Sequence, residues 1–193
     1  MKHLAFVLIF CLVAGATEAA AESMEQLVDR AFAKAASQYA PLADSMLANC
    51  PNRLPHSLKK DGSLTHVPAS SWLSGFFPGS LWYIYEYTGN PEMARYARKF
   101  TSYLEKQQYN SKTHDIGFMV FCSYGNQQRI EPSDGAISVV LNAAASLASR
   151  FSSKVGCIRS WDKEVRPGWH YPVIIDNMMN LELLLWSWHT SGD

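Results

Sequence analysis

The stretch Ile174-Ile175-Asp176-Asn177-Met178-Met179-Asn180-Leu181-Glu182-Leu183-Leu184-Leu185-Trp186-Ser187-Trp188-His189 decides the fold class of this 193-residue chain. Its residues suit a helix of four turns that is apolar almost all round, and such a helix is buried on every side rather than lying on a surface. Upstream, Met24, Leu27, Val28, Ala31, Phe32, Ala35 and Tyr39 keep the three-four spacing of an amphipathic helix. Pro78 opens an aromatic-rich helix through Leu81, Trp82, Ile84 and Tyr85. After it, Gly89-Asn90-Pro91 marks a stop and a start, with Asn90 as N-cap. A further helix, with Met93, Tyr96, Ala97, Phe100, Tyr103 and Leu104 on one face, follows. Residues 110–133 read as loop, and Asp134 to about Phe151 as another buried helix. Strand signals are weak. The class is all-α, with alternating buried and amphipathic helices forming an inner ring wrapped by an outer one.

The first 21 residues stand apart. Lys2 and His3 precede the apolar run Leu4–Val13, with small residues around Ala14-Gly15-Ala16 and Ala19-Ala20-Ala21. The run is too short to cross a bilayer and reads as a secretory signal peptide. Residues 22–193 are then expected as part of one domain, exported to the periplasm or medium and free of the membrane after cleavage. Cys50, Cys122 and Cys157 remain, an odd, widely spaced set that suggests buried thiols or at most one bridge. The histidines show no HExxH or HxH pairing, so no metal site is expected. Lys plus Arg and Asp plus Glu balance at 17 each, which gives no electrostatic footprint for nucleic acid.

Two aspartates sit in distinctive apolar strings. Asp176 follows Tyr171-Pro172-Val173-Ile174-Ile175, and its ordinary role at a helix start would be an N-cap. The greasy surroundings argue instead for a desolvated carboxyl whose pKa is raised, the condition for a proton donor near neutral pH. Asn177 and Asn180 extend a polar stripe beside it, at the positive end of the helix dipole. Asp115 lies in Thr113-His114-Asp115-Ile116-Gly117-Phe118-Met119, with apolar neighbours that hold it against the core. Two such carboxylates suit acid/base work on a sugar, though nothing in their separation along the chain proves that they meet. Trp72, Trp161 and Trp169, all in expected loops, serve equally as core plugs or as flat platforms for sugar rings.

The strings WLSGFFPGSLWYIYEYTG, THDIGFMVFCSYGN and YPVIIDNMMNLELLLW together resemble the unsaturated glucuronyl hydrolases of glycoside hydrolase family 88. The resemblance covers nearly all of the chain after the leader. It implies an (α/α)6 toroid of helical hairpins, of which 193 residues would make about the first half, inactive alone. It implies removal of the 4,5-unsaturated glucuronic acid from the non-reducing end of oligosaccharides made by polysaccharide lyases. In that reaction Asp176 would be the acid/base residue and Asp115 the second aspartate. His114, Trp72 and Trp161 would line the substrate subsite, with Asn177 and Asn180 beside the acid. No metal or organic cofactor is expected, since protonation and hydration need only a positioned acid and water. Two other readings remain: a family 105 unsaturated rhamnogalacturonyl hydrolase of the same fold, and a non-catalytic sugar-binding remnant. The glycan and the oligomeric state are open.

Overall fold

A computed structural model describes residues 22–162 and 166–192. The expected leader and Cys11 lie outside the described residues. Helix α1, Met24–Asn49, begins at a reciprocal cap in which the Ser23 hydroxyl accepts from the Gln26 amide and the Gln26 side chain accepts from the Ser23 amide. It runs ten residues beyond the periodic stretch seen in the sequence, passing through Pro41. In the segment after it, Pro51, Pro55 and Gly62 suggest a loop, but the chain forms an antiparallel hairpin, β1 (Arg53–Leu58) with β2 (Leu64–Pro68). The register shifts between Pro55 and Leu58, and this irregularity is where proline fits a strand.

Helix α2, Phe76–Thr88, carries Pro78 in its first turn and ends at Gly89, whose φ of 67° is the left-handed stop that glycine permits. Helix α3, Pro91–Ser102, starts as read from the sequence, with Asn90 accepting from the Glu92 amide at 2.9 Å. Residues expected as loop then coil instead into a π-helix, Gly117–Gly125, continued by α4, Asn126–Ile130. Burial of Ile116, Met119, Val120 and Tyr124 in the core drives that coiling. Helix α5 spans Asp134–Ala148, stopping short of Phe151, which pairs with Ile158 in the small hairpin β3 (Phe151–Ser152) and β4 (Cys157–Ile158). The final helix is broken in two: α6, Asn177–Asn180, and α7, Glu182–Ser191, meet at Leu181.

These helices form two rows. The π-helix packs against α2 on one side and α7 on the other, while α1, α3 and α5 pack behind them. Gly75 makes the first contact possible: a Cβ there would stand 1.9 Å from the Phe118 carbonyl oxygen. One apolar cluster centres on Trp82, Tyr96 and Phe100, a second on Ile116, Met119, Val140 and Leu147. Helix α7 is not buried all round. Leu183 is fully buried against the second cluster, whereas Leu185 and Trp188 are about two-thirds exposed at 68% and 62%. Its apolar far side has no cover among the described residues. The three cysteines are free, and Cys157 is exposed rather than buried. No helix of the described residues is long and apolar enough to cross a membrane.

Candidate active site

The two aspartates meet. His114 is fully buried, and its Nε2 lies 3.3 Å from Asp115 Oδ1 and 3.5 Å from Asp176 Oδ1. One donor atom from each of the three side chains falls within 4.8 Å of the others. Neither approach has hydrogen-bond geometry: both ring nitrogens of His114 and Asp176 Oδ1 are buried without a hydrogen-bond partner among the described residues. Unmade bonds of this kind are costly unless a ligand or water completes them.

Each member is held differently. Asp115 Oδ2 accepts from the Thr113 hydroxyl at 2.5 Å, and the same hydroxyl accepts from the Asp115 amide at 3.2 Å, a local clamp that fixes the carboxylate. His114 takes the edge of the Trp161 ring, centroid to centroid 5.7 Å, and its amide donates to the Ser160 carbonyl at 2.8 Å. Asp176 heads α6 with helical backbone angles and makes no capping bond, so its carboxylate is not spent on the helix. Its side chain is 39% exposed, with one oxygen turned inward to His114. A single turn has little macrodipole, so the dipole expected to act on Asp176 contributes little.

Asn177 and Asn180 do not face the hollow. Asn177 Nδ2 donates to the Ile158 carbonyl at 2.8 Å. Asn180 Oδ1 accepts from the Phe118 amide at 3.0 Å, and its Nδ2 donates to the Asp176 carbonyl at 3.3 Å. Both are buried beside Asp176, as the sequence suggests, and their side-chain amides satisfy backbone groups of the segments around it. The fit is tight, since a Cβ on Gly117 would come within 2.7 Å of Asn180 Oδ1 and 2.8 Å of its Cα. The segments bearing Asp115 and Asp176 are therefore in backbone contact.

Trp72 is half exposed and stands over Phe76 and Phe118, with ring centroids 6.0 and 6.1 Å away. Phe76 and Phe118 are themselves 5.5 Å apart, which makes a three-ring surface. Phe118 follows Asp115 by three residues, which ties this surface to the segment that carries Asp115. Trp169 lies instead beneath the Arg166 guanidinium, 5.0 Å from its centroid. Sequence reading missed Phe76 and Phe118 as partners of Trp72, although both lie in the quoted strings. The imidazole and two carboxylates are also the group of the described residues able to converge on a cation. For that use His114 Nδ1 lacks the acceptor that usually orients a metal-bound ring.

No protein-family model matches the chain. An unsaturated glucuronyl hydrolase of Formosa agariphila is 42% identical over 165 residues, 81% of this chain and 40% of the relative. The enzyme of the same name from a Bacillus species is 35% identical over 74% of this chain and 38% of its own. Among solved structures, an unsaturated glucuronyl hydrolase specific for heparin superposes with a TM-score of 0.75 at 40% identity, over 86% of this chain and 44% of that one. The chain thus spans about 40% of the length of the curated relatives it matches. The two rows of helices are part of an α/α toroid. In sequence and in fold, the chain belongs to the unsaturated glucuronyl hydrolase family.

Proposed function

We propose that this protein removes 4,5-unsaturated glucuronic acid from the non-reducing end of lyase-generated oligosaccharides by acid-catalysed hydration of the enol ether. The observation that carries the reading is the convergence of Asp115 and Asp176 on one buried imidazole. In this mechanism Asp176 hands its proton to carbon 4, and positive charge develops at carbon 5 and the ring oxygen. Water adds to carbon 5 and gives a proton back to the Asp176 carboxylate. The resulting hemiketal opens, and the hemiacetal left at carbon 1 releases the shortened sugar. Asp115, already clamped by Thr113, grips the uronate hydroxyls and places its negative charge beside the developing cation. Trp161 and Trp72 supply flat faces for the sugar rings.

The substrate class follows the relatives' names. The solved neighbour at 40% identity is described as specific for heparin, and streptococcal relatives at 28 to 32% identity are named unsaturated chondroitin disaccharide hydrolases. Both support glycosaminoglycan fragments. The apolar run Leu4–Val13 supports export, with residues 1–21 removed; the N-terminal sequence of the mature protein tests this. The activity is tested on the protein from residue 22 to the end of its reading frame. Unsaturated heparin and chondroitin disaccharides should lose the ultraviolet absorbance of their double bond, and Asp176→Asn should slow that loss by about 10²-fold or more. An Asp176→Asn variant with undiminished turnover would remove the reading, and binding without turnover by the parent would favour a non-catalytic scaffold.

A further inference from the structure

Ser160 joins the two halves of the site, and every polar group it has is used in doing so. It is fully buried. Its carbonyl accepts from the His114 amide at 2.8 Å, which ties it to the segment carrying His114 and Asp115. Its own amide donates to the Pro172 carbonyl at 2.8 Å, and its Oγ accepts from the Ile174 amide at 3.1 Å. Those two bonds reach the segment that leads into Asp176. One residue therefore spans the gap between the aspartates.

The strip around Ser160 is braced to keep that span. Thr113 pairs with Trp161 as an isolated bridge on one side, and Asn177 reaches the Ile158 carbonyl on the other. Beneath it, the buried Arg150 guanidinium donates to the Arg159 carbonyl at 2.8 Å and to the Ser111 carbonyl, and meets Asp162 at 3.2 Å. The Arg150 carbonyl in turn accepts from the Arg159 amide at 3.0 Å and from the Tyr171 hydroxyl at 2.9 Å. Residues 157–162 form a splint, with both site-bearing segments laced to it.

We propose that the Ser160 hydroxyl is a positioning group for the catalytic acid. The proposal rests on the role given to Asp176 above. Most lacing bonds are made by backbone and survive any substitution. The Oγ bond to Ile174 does not, and Ile174 begins the turn in which the Asn177 amide returns to the Ile174 carbonyl at 3.1 Å. Losing the acceptor frees that amide and loosens the turn, so Asp176 drifts from its 3.5 Å contact with His114. Asp115 is untouched, because its clamp to Thr113 and the His114 amide bond involve no Ser160 side-chain atom. Acid placement suffers while sugar binding is preserved.

The test compares Ser160→Ala and Ser160→Cys with the parent, each from residue 22 to the end of the reading frame. Cysteine fills the space with a poor acceptor, so it carries the test if the alanine variant does not fold. Both variants should lose about tenfold to a hundredfold in kcat, as expected for an acid displaced by about 1 Å, with KM little changed. Amide hydrogen exchange at Ile174 should accelerate while that of α2 and α3 holds. Unchanged kcat in both variants, or a KM effect alone, overturns the proposal. A parent that consumes no unsaturated substrate sinks the activity reading instead, and the exchange measurement still judges the lacing: unaltered protection at Ile174 overturns it.

Discussion

Thr113 carries a burden out of proportion to its size, because one hydroxyl both accepts from the Asp115 amide and donates to its carboxylate. Thr113→Val keeps the shape and removes both bonds. A hydrogen bond to a charged group contributes about 1.5 to 3 kcal/mol, so the variant should bind unsaturated substrate about tenfold or more weakly, read as a rise in KM. Cysteine reactivity gives a second residue-level check. Burial, and to a lesser degree the charge of Glu182, pushes the Cys122 thiol up to about 11, whereas Cys157 is exposed. At pH 8 an alkylating reagent should label Cys157 and spare Cys122 until the protein is denatured, as peptide mass spectrometry would show. That Asp176 is a candidate acid was legible in the sequence, because a carboxylate placed after a run of apolar and aromatic residues stands out. The roles of Asn177, Asn180 and Ser160 were not. Their partners are backbone groups far along the chain, and no side-chain pattern records a backbone partner.

At the scale of single elements, the sequence was plain where a cap marks a boundary and misleading where glycine or proline lies inside or beside an element. The start of α3 is signalled by Asn90-Pro91, and the structure begins it there. The π-helix escaped although Ile116, Met119, Val120, Ser123 and Tyr124 keep a three-four spacing, because the glycine at each end suggests a break. The β1–β2 hairpin escaped because Pro55 and Gly62 suggested loop; Pro55 sits at the register shift, and Gly62, at φ 81°, in the turn between the strands. Gly75→Ala tests how α2 meets the π-helix. With the new Cβ 1.9 Å from a backbone oxygen, two main chains must part, and thermal unfolding should show a loss of about 2 kcal/mol or more. The Arg98 guanidinium holds the Glu131 carboxyl below its ordinary range through two hydrogen bonds of 2.7 Å, joining α3 to the end of α4. A lowered folded value means that the contribution is present above the ordinary carboxylate value and is lost as pH falls through the folded one. Glu131→Gln should therefore melt earlier than the parent at pH 7, and the gap should close on acidification.

For the molecule as a whole, the open side of the inner row matters most. Ile175, Met178, Met179, Leu185 and Trp188 are all largely exposed, and bare apolar surface of this kind favours association. Residues 22–193 expressed alone should self-associate, visible as early elution in size-exclusion chromatography and as binding of a hydrophobic dye; a clean monomer peak would contradict this. The all-α class and the two-row plan could be read from alternating helix types, but which helix faces are left bare depends on packing that no single periodic stretch reveals. The contact of Gly117 with the main chain at Asn180 has one more consequence. The gap between the Asp115 and Asp176 carboxyls is a dimension of the backbone rather than of the groups that decorate it. Substitutions can repaint the walls of the hollow without moving that pair. What such an architecture cannot absorb is a change in residue count: removing a single position from Ile116–Gly125 would rotate everything downstream and pull the pair out of alignment, however conservative the replacements around it.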